Sequence, residues 1–206
     1  MNTFKEYIQE EEDKKLGRLS IFDVDDTLFH TTAQIALLKD GVLVRKLTNQ
    51  EFNTYSLKRG ESFDFDEFRS ASKFYHESRP IARMLSRAKA ILSHSLKNPL
   101  SKVIVVTARA NFDNKNLFLD TFRKHQFDID KVRVERAGNI MDIDDTAAKK
   151  YLIIYNYLKT GQFDRCSLFD DAVSNLRGFL KLKVEFPNIK FEAYFASADG
   201  SIKLIK

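Results

Sequence analysis

The sequence predicts an α/β protein in which helices cover both faces of a mainly parallel sheet. Short apolar runs, typical of buried strands, alternate along the chain with longer segments whose apolar residues recur every three or four positions. Strands that alternate with helices pair in parallel through right-handed crossovers, which places the helices on the two faces of the sheet. At 206 residues the chain has enough length for one such three-layer domain with a sizeable core.

The predicted elements follow one another in a simple order. Strands are expected at 19–22, 103–106, 132–134, 167–169 and 191–195. Helices are expected at about 80–97, 114–125, 146–159 and 172–186. We therefore expect a single domain over residues 1–206, with a core at about 19–30 and 80–206 and an insertion at about 31–79.

A hairpin flap and a small cap are predicted within the insertion. Asp40-Gly41 lies between two apolar stretches, 35–38 and 42–44, and this dipeptide is a strong signal for a tight β-turn. Residues 48–78 are expected to form a mainly helical segment that packs over the hairpin.

Composition indicates an ordinary globular protein. Hydrophobic residues make up 43% and charged residues 31% of the chain, and the low counts of 7 glycines and 3 prolines argue against a disordered or fibrous chain. The formal net charge of +5 is compatible with a phosphorylated or polyanionic partner, and equally with a normal soluble surface. Cys166 is the only cysteine, which excludes an intrachain disulfide and favours a reducing compartment.

Targeting signals are not expected. The first eighteen residues lack the apolar segment of a signal peptide. No apolar stretch approaches the roughly 18 residues that a membrane-spanning helix needs. The sequence therefore predicts a cytoplasmic protein with no membrane association, and it shows no sign of an obligate protein partner.

The residues of most chemical interest are Asp23-Val24-Asp25-Asp26-Thr27, directly after the first predicted strand. Carboxylates this close raise each other's pKa unless a cation or strong donors compensate. In open α/β sheets, ligands bind beyond the carboxyl ends of the strands, which is where this segment lies. The pattern therefore indicates a site for a metal ion and a phosphate.

Further polar residues appear at later positions of the same edge. Thr107 follows the second strand, Lys149 and Lys150 lie near the start of a helix, and Asp170-Asp171 follow the fourth strand. Each signal is weak alone, but together a hydroxyl, a lysine and a second acidic pair at successive sheet edges point to one site.

In order and content these segments resemble the four motifs of the haloacid dehalogenase (HAD) superfamily of phosphatases and phosphotransferases. The resemblance covers about residues 19–196, and it implies a Rossmann-like fold with a flap after the first motif. By that resemblance, Asp23 is the nucleophile that forms an aspartyl phosphate. Asp25 is the general acid and base, and its backbone carbonyl also binds the metal.

The remaining motifs have roles by the same resemblance. Thr107 would donate a hydrogen bond to a phosphoryl oxygen, and Lys149 or Lys150 would neutralise charge on the nucleophile and phosphate. The spacing of 20 residues before Asp170 slightly favours Lys150. Asp170, with Asp171, would complete a Mg²⁺ site with Asp23 and Asp25. From the sequence alone, Asp171 could be a ligand or a partner of a ligand, and Asn175 could brace that site or face solvent.

The chemistry favours the same assignment independently. Phosphate monoesters hydrolyse extremely slowly without a catalyst, so charge neutralisation and positioning must remove much of the barrier. A carboxylate nucleophile divides the reaction into two easier displacements, and a second carboxylate can act as proton donor and then acceptor. Several acidic groups can face an anion only with a hard cation such as Mg²⁺ between them.

A second copy of the pattern occurs at Asp142-Ile143-Asp144-Asp145-Thr146. It follows no convincing strand, and no hydroxyl or lysine signals follow it in order. Acidic residues and threonine directly before an apolar helical segment are typical of a helix N-terminus. We therefore predict that this copy caps the next helix and has no catalytic role.

The substrate is expected to be a nucleotide or the phosphorylated end of a nucleic acid. A small cap and the basic balance favour a bulky phosphorylated partner, and the resemblance then runs towards polynucleotide phosphatases and nucleotidases. Thr27, Arg109 and Arg136 are candidate substrate contacts, although Arg109 could equally form a salt bridge. Phe112 and the aromatic cluster at 63–68 are candidates for base stacking.

Other functions remain open at this stage. A sugar-phosphate phosphatase or a phosphotransferase of the same fold would carry the same motifs, and a non-catalytic nucleic-acid-binding protein could retain the fold alone. The chain contains no GxxxxGK[ST] loop, so it encodes no P-loop kinase activity.

Overall fold

The computed structural model describes residues 16–52, 54–143 and 145–205. Its strands are β1 (Gly17–Phe22), β2 (Phe29–His30), β3 (Ile35–Lys39), β4 (Val42–Leu47), β5 (Glu61–Asp64), β6 (Arg79–Pro80), β7 (Lys102–Thr107), β8 (Arg133–Arg136), β9 (Phe163–Asp170), β10 (Lys190–Ala196) and β11 (Ile202–Ile205). Its α-helices are α1 (Asn49–Phe52), α2 (Ala71–Glu77), α3 (Ala82–Ser95), α4 (Lys115–Arg123), α5 (Thr146–Leu158), α6 (Val173–Leu180) and α7 (Leu182–Glu185).

Six of these strands form the central sheet, in the order β11-β10-β9-β1-β7-β8. All neighbours pair in parallel except β10 and β11, which are antiparallel. The predicted α/β class with a mainly parallel sheet is therefore confirmed. Strand β1 lies between β7 and β9, because the chain adds strands first on one side of β1 and then on the other.

Two apolar cores cover the two faces of the sheet, as the alternation of side chains in its strands requires. Along β7, Val103 and Val105 belong to the core beneath α2, α3 and α4. The intervening Ile104 and Val106 belong to the core beneath α5, α6 and α7. The result is three layers, with one sheet between two layers of helices.

The hairpin flap is present where the sequence predicts it. Asp40 and Gly41 have φ angles of 49° and 81°, and this left-handed pair makes the tight turn between β3 and β4. A third, smaller core of residues such as Ile35, Leu37 and Phe68 lies beneath the flap.

The predicted mainly helical character of 48–78 is wrong in part. This segment contains the short helices α1 and α2, but β5 pairs with β3 and extends the hairpin to a three-stranded sheet. Within the strand Glu61–Asp64, Phe63 is the residue that packs against the small core. The predicted helix at 172–186 is also divided, into α6 and α7.

In the described part of the chain, no helix combines the length and the apolar character needed to cross a membrane.

Candidate active site

The register of the central sheet brings the first and fourth motifs together. Phe22, the last residue of β1, is paired with Phe169 of β9 and with Val105 of β7. The next residue, Asp23, donates its backbone N–H to the carbonyl of Phe169 at 3.0 Å. Asp23 and Asp170 therefore lie side by side at the carboxyl edge of the sheet, although 147 positions separate them in the sequence (170 − 23).

Lys150 joins these two carboxylates. Its Nζ donates to Asp23 Oδ1 and to Asp170 Oδ2, each at 2.7 Å, and the residue is only 2% exposed. Burial opposes the charged ammonium, but the two carboxylates outweigh it and raise the pKa of Lys150 above its usual value. Helix α5 aims Lys150 at the site, whereas Lys149 is half-buried and lines the cavity beside it.

Asp170 is held by further donors. It is fully buried, and its carboxylate accepts hydrogen bonds from Asn175 Nδ2 at 2.9 and 3.1 Å and from the backbone N–H of Ala172 at 2.9 Å. A buried charge with this many donors has a fixed orientation, because any rotation would break several charge-assisted bonds. Asn175 thus lies where the sequence suggested a brace.

A carboxylate cluster suitable for a cation surrounds the same point. Asp23, Asp170 and Asp171 each offer an oxygen, and these oxygens lie within 4.8 Å of one another. Burial raises the pKa of Asp171, and the charges of Asp170 and Asp23 raise it further. Burial likewise raises the pKa of Asp23, with Lys150 opposing the rise. Acidic groups this crowded are at their lowest free energy with a hard cation among them.

The chain turns sharply after Asp23. Backbone N–H groups of Leu28 and Phe29 donate to the carbonyl of Val24, and Asp26 adopts a left-handed φ of 56°. Aspartate is one of the few residues that tolerates this conformation. The Asp26 carboxylate also accepts a hydrogen bond from Asn49 Nδ2 at 2.8 Å, which ties the turn to the insertion.

Thr27 does not lie where a substrate contact was expected. The turn packs its side chain into the interior, where it is fully buried, and its hydroxyl has no hydrogen-bond partner among the described residues. The structure therefore places Thr27 in the packed loop rather than at the surface of the cavity.

Arg109 forms a buried ion pair with Asp25, which is the salt bridge that the sequence left as open as a substrate contact. Its Nε and Nη2 donate to the two Asp25 carboxylate oxygens at 2.9 and 2.7 Å, and the residue is 2% exposed. Nη1 donates to the carbonyl of Phe68 at 2.8 Å, and the guanidinium carbon lies 4.6 Å from the centre of the Phe74 ring. With its donors engaged in this way, Arg109 orients Asp25 and links it to the insertion.

Thr107 and Arg136 lie at the same edge but outside the cavity lining in the described structure. Thr107 is fully buried at the end of β7, and its hydroxyl accepts a hydrogen bond from the Arg109 N–H at 3.2 Å. Its contact with a phosphoryl group stays a prediction. Arg136 donates to Asn111 Oδ1 at 2.7 Å, because the end of β8 directs it to that loop.

Gly138 shows how closely the loops after β7 and β8 approach each other. A Cβ atom at this position would lie 2.4 Å from the carbonyl oxygen of Ala108, so only glycine fits there without a shift of the backbone. Both residues line the cavity.

The second copy of the acidic pattern caps a helix in the described structure. The Asp145 side chain accepts hydrogen bonds from the N–H groups of Ala147 and Ala148, at 3.3 and 3.1 Å, at the start of α5. Asp142 is exposed. Asp144 lies outside the described residues.

A cavity of about 670 Å³ opens above the carboxylates. The core contributes charged lining residues, among them Asp23, Asp25 and Lys150, and the insertion contributes apolar ones. The apolar lining residues of the insertion are Ile35, Phe52, Leu57, Phe63, Phe65 and Phe68. Of these, only the phenylalanines of the 63–68 cluster were predicted as candidate contacts; Ile35, Phe52 and Leu57 belong to no motif and were not predicted. Phe112 was a candidate for base stacking, but its ring stacks on that of Phe118, with ring centres 3.8 Å apart, beside the core.

No protein-family model matches the chain, and no curated protein matches it. Among solved structures, the chain is similar to the HAD domain of the effector protein Lem4 from Legionella pneumophila, an inactive mutant. The two sequences are 13% identical, the match covers 86% of this chain and 84% of that chain, and the TM-score is 0.46. A similarity of this size establishes neither family nor function.

Proposed function

We propose that the protein is a Mg²⁺-dependent phosphomonoester hydrolase that acts through an aspartyl phosphate on Asp23. The observation that carries the proposal is the buried Asp23–Lys150–Asp170 network, with two 2.7 Å bonds to one ammonium. Buried ionic networks are costly to maintain, and perturbed carboxylates in a cleft are typical of catalytic sites.

In the first half of the proposed reaction, Asp23 attacks the phosphorus atom. Because Asp23 Oδ1 accepts a hydrogen bond from Lys150, Asp23 Oδ2 is the oxygen that forms the new P–O bond. The bond between phosphorus and the leaving oxygen breaks, and Asp25 donates a proton to that oxygen. The Lys150 ammonium offsets the negative charge around the nucleophile as the phosphate approaches.

In the second half, water attacks the phosphorus of the aspartyl phosphate. Asp25 accepts the proton of that water, the P–O bond to Asp23 breaks, and inorganic phosphate leaves. The bidentate pair with Arg109 orients the Asp25 carboxylate for this second step, in which it accepts a proton; to donate a proton in the first step, one Asp25 oxygen must leave Arg109 and carry that proton. Arg109 thereby acts as a positioning residue.

The residues present fit Mg²⁺. Carboxylate oxygens of Asp23, Asp170 and Asp171 lie within 4.8 Å of one another, and hard oxygen donors are the ligands that this ion prefers. The backbone carbonyl of Asp25 is a further candidate ligand. When bound, the ion supplies positive charge that offsets the charge of the phosphoryl oxygens.

The proposed substrate is a nucleotide or the phosphorylated end of a nucleic acid. The formal net charge of +5 and a cavity much larger than a phosphate support this class. The test is phosphate release with and without Mg²⁺ from 3′-phosphorylated oligonucleotides, mononucleotides and sugar phosphates. We expect Mg²⁺-dependent release from the first two groups. Release confined to sugar phosphates would refute the substrate class.

The same assay separates the proposed activity from its alternatives. Phosphate transfer to an added alcohol at the expense of free phosphate would assign a phosphotransferase. A complete lack of turnover on all three substrate groups, with Mg²⁺ present, would refute the proposed hydrolase and favour a non-catalytic binding protein.

A further inference from the structure

The cavity above the carboxylates offers far more space than a phosphate group needs. Its volume of about 670 Å³ is within the range of small-molecule sites, roughly 300–1,000 Å³. Liquid water occupies about 30 Å³ per molecule, so the cavity has room for a phosphate and a sizeable organic group. A ligand larger than phosphate would contact the residues that line the rest of the cavity.

We use the term aromatic wall for Phe52, Leu57, Phe63 and Phe65, which all come from the insertion and line this cavity. Phe65 is 45% exposed and Leu57 is 48% exposed, so both leave apolar surface open to solvent at the cavity. Apolar surface left open inside a concave site is typical of a ligand-binding surface.

The rings of the wall support one another. Phe52 meets Phe63 and Phe65 edge-on, with ring centres 4.9 and 5.5 Å apart, and Phe63 lies 6.1 Å from Phe65. Edge-to-face contacts at these distances are favourable and fix the ring orientations. The wall therefore presents an ordered aromatic surface before any ligand arrives, which lowers the entropy cost of binding.

Polar recognition by the insertion is weak in comparison. Its polar lining residues are Asn49, Asp66 and Arg69. Asn49 donates to Asp26 at 2.8 Å, and Arg69 pairs with Asp66 at 3.7 Å in a largely exposed position. The part of the cavity that the insertion lines therefore offers few free donors and acceptors to the hydroxyl groups of a sugar, since these residues are engaged with each other or with the turn.

We propose that the aromatic wall binds a planar aromatic ring in the organic part of a phosphomonoester, while the carboxylate site receives its phosphate. The inference rests on the proposed function for the phosphate end, and it names the substrate class that the same cavity accepts. The ring is that of a nucleobase or of an aryl ester, since both present the same flat apolar face. Stacking on such a wall contributes roughly 5- to 100-fold in affinity.

Binding of phosphonates, which cannot be hydrolysed, tests the proposal without relying on turnover. Phenylphosphonate and methylphosphonate differ only in the ring, and calorimetric titration in the presence of Mg²⁺ measures both. We expect the wild-type protein to bind phenylphosphonate at least about tenfold more tightly. To distinguish a nucleobase from an aryl ring, adenosine monophosphate and phenylphosphonate are both titrated into the Asp23→Asn variant. The ligand that binds more tightly identifies the ring that the wall prefers.

Variants then assign the preference to the wall. Phe65→Ala should lower the affinity for phenylphosphonate far more than that for methylphosphonate, and so remove most of the tenfold preference. Phe65→Leu, which keeps the apolar surface and loses the ring, should remove part of it. Leu204→Ala is the control, because Leu204 is 48% exposed, close to the 45% of Phe65, but lies on β11, outside the cavity lining.

Two results would overturn the inference. One is equal affinity of the wild-type protein for the two phosphonates. The other is a ring preference that Phe65→Ala does not reduce. If the protein bound phenylphosphonate preferentially but turned over none of the phosphate esters, the proposed hydrolase function would be refuted. The wall would then remain a binding site for aromatic phosphates.

Discussion

The chain contains the pattern Asp-x-Asp-Asp-Thr twice, and the two copies have different structural roles. At residues 23–27 the first aspartate is buried, bonded to Lys150 and placed beside Asp170. At residues 142–146 the first aspartate is exposed, and Asp145 caps helix α5. A short acidic pattern therefore carries no chemistry by itself. A preceding buried strand in the middle of a parallel sheet is what gives the first copy its partners.

The largest expected difference between the copies is in catalysis. Asp23→Asn removes the proposed nucleophile and should lower phosphate release by at least about a thousandfold, because no other group can form the covalent intermediate. Asp142→Asn makes the same chemical change in the second copy and should retain activity within about twofold. Steady-state phosphate release from a mononucleotide measures both. Comparable losses in the two variants would contradict the assignment.

Arg109, which serves only the first copy, should matter most when the leaving group is poor. Arg109→Lys keeps the charge but loses the bidentate hold on Asp25, so proton donation to the leaving oxygen should suffer. We expect kcat/KM, which reports the step that releases the leaving group, to fall by about a hundredfold for an alkyl phosphate and far less for p-nitrophenyl phosphate, whose leaving group needs no proton.

The control for this prediction is Arg133→Lys, which alters an exposed arginine paired with Glu135. Urea unfolding should confirm that both variants fold. If Arg109→Lys slowed the two substrates equally, a general structural role would replace the positioning role.

Metal binding should separate the two copies without any measurement of activity. Mg²⁺ at about 100 times its Kd stabilises a single site by about 2.7 kcal/mol, which raises Tm by roughly 5–10 °C for a protein of this size. Asp171→Asn removes one of three clustered carboxylates and should reduce that rise strongly, whereas Asp142→Asn should keep it. An undiminished rise in Asp171→Asn would place the ion elsewhere.

The smallest expected effect belongs to the helix cap of the second copy. Asp145→Ala removes the acceptor for two N–H groups and should lower the free energy of unfolding by about 1 kcal/mol. Asp142→Ala, three positions earlier, should change it by less than about 0.5 kcal/mol. Urea denaturation resolves this difference, and equal values for the two variants would argue against the capping role.

Much of the core could be predicted because its signals are local. The strand before Asp23 and the Asp40-Gly41 turn depend on patterns of a few residues, which hydrophobic periodicity and turn chemistry reveal. Strand β5 was not predicted because residues 61–64 form a strand through their pairing with β3. The local sequence of 61–64 does not indicate this pairing.

The site likewise has some features that local sequence patterns predict and others that depend on three-dimensional packing. The edge at which Asp23 and Asp170 meet follows from the parallel topology and could be predicted. The choice of Lys150 over Lys149 was open, because adjacent helix residues point about 100° apart and only the packing of α5 decides between them. The partner of Arg109 depends on a distant turn in three dimensions, so the sequence left a salt bridge and a substrate contact equally open.

The most direct test of the central claim is to trap the phosphorylated enzyme. Wild-type protein, Mg²⁺ and a ³²P-labelled phosphomonoester that the protein turns over would be mixed, quenched in acid within the first turnover and digested for peptide mapping. The account predicts a hydroxylamine-sensitive label on the peptide that contains Asp23, present in Asp142→Asn and absent from Asp23→Asn. Label on any other residue, or phosphate release with no labelled Asp23 peptide at any time during the first turnover, would contradict it.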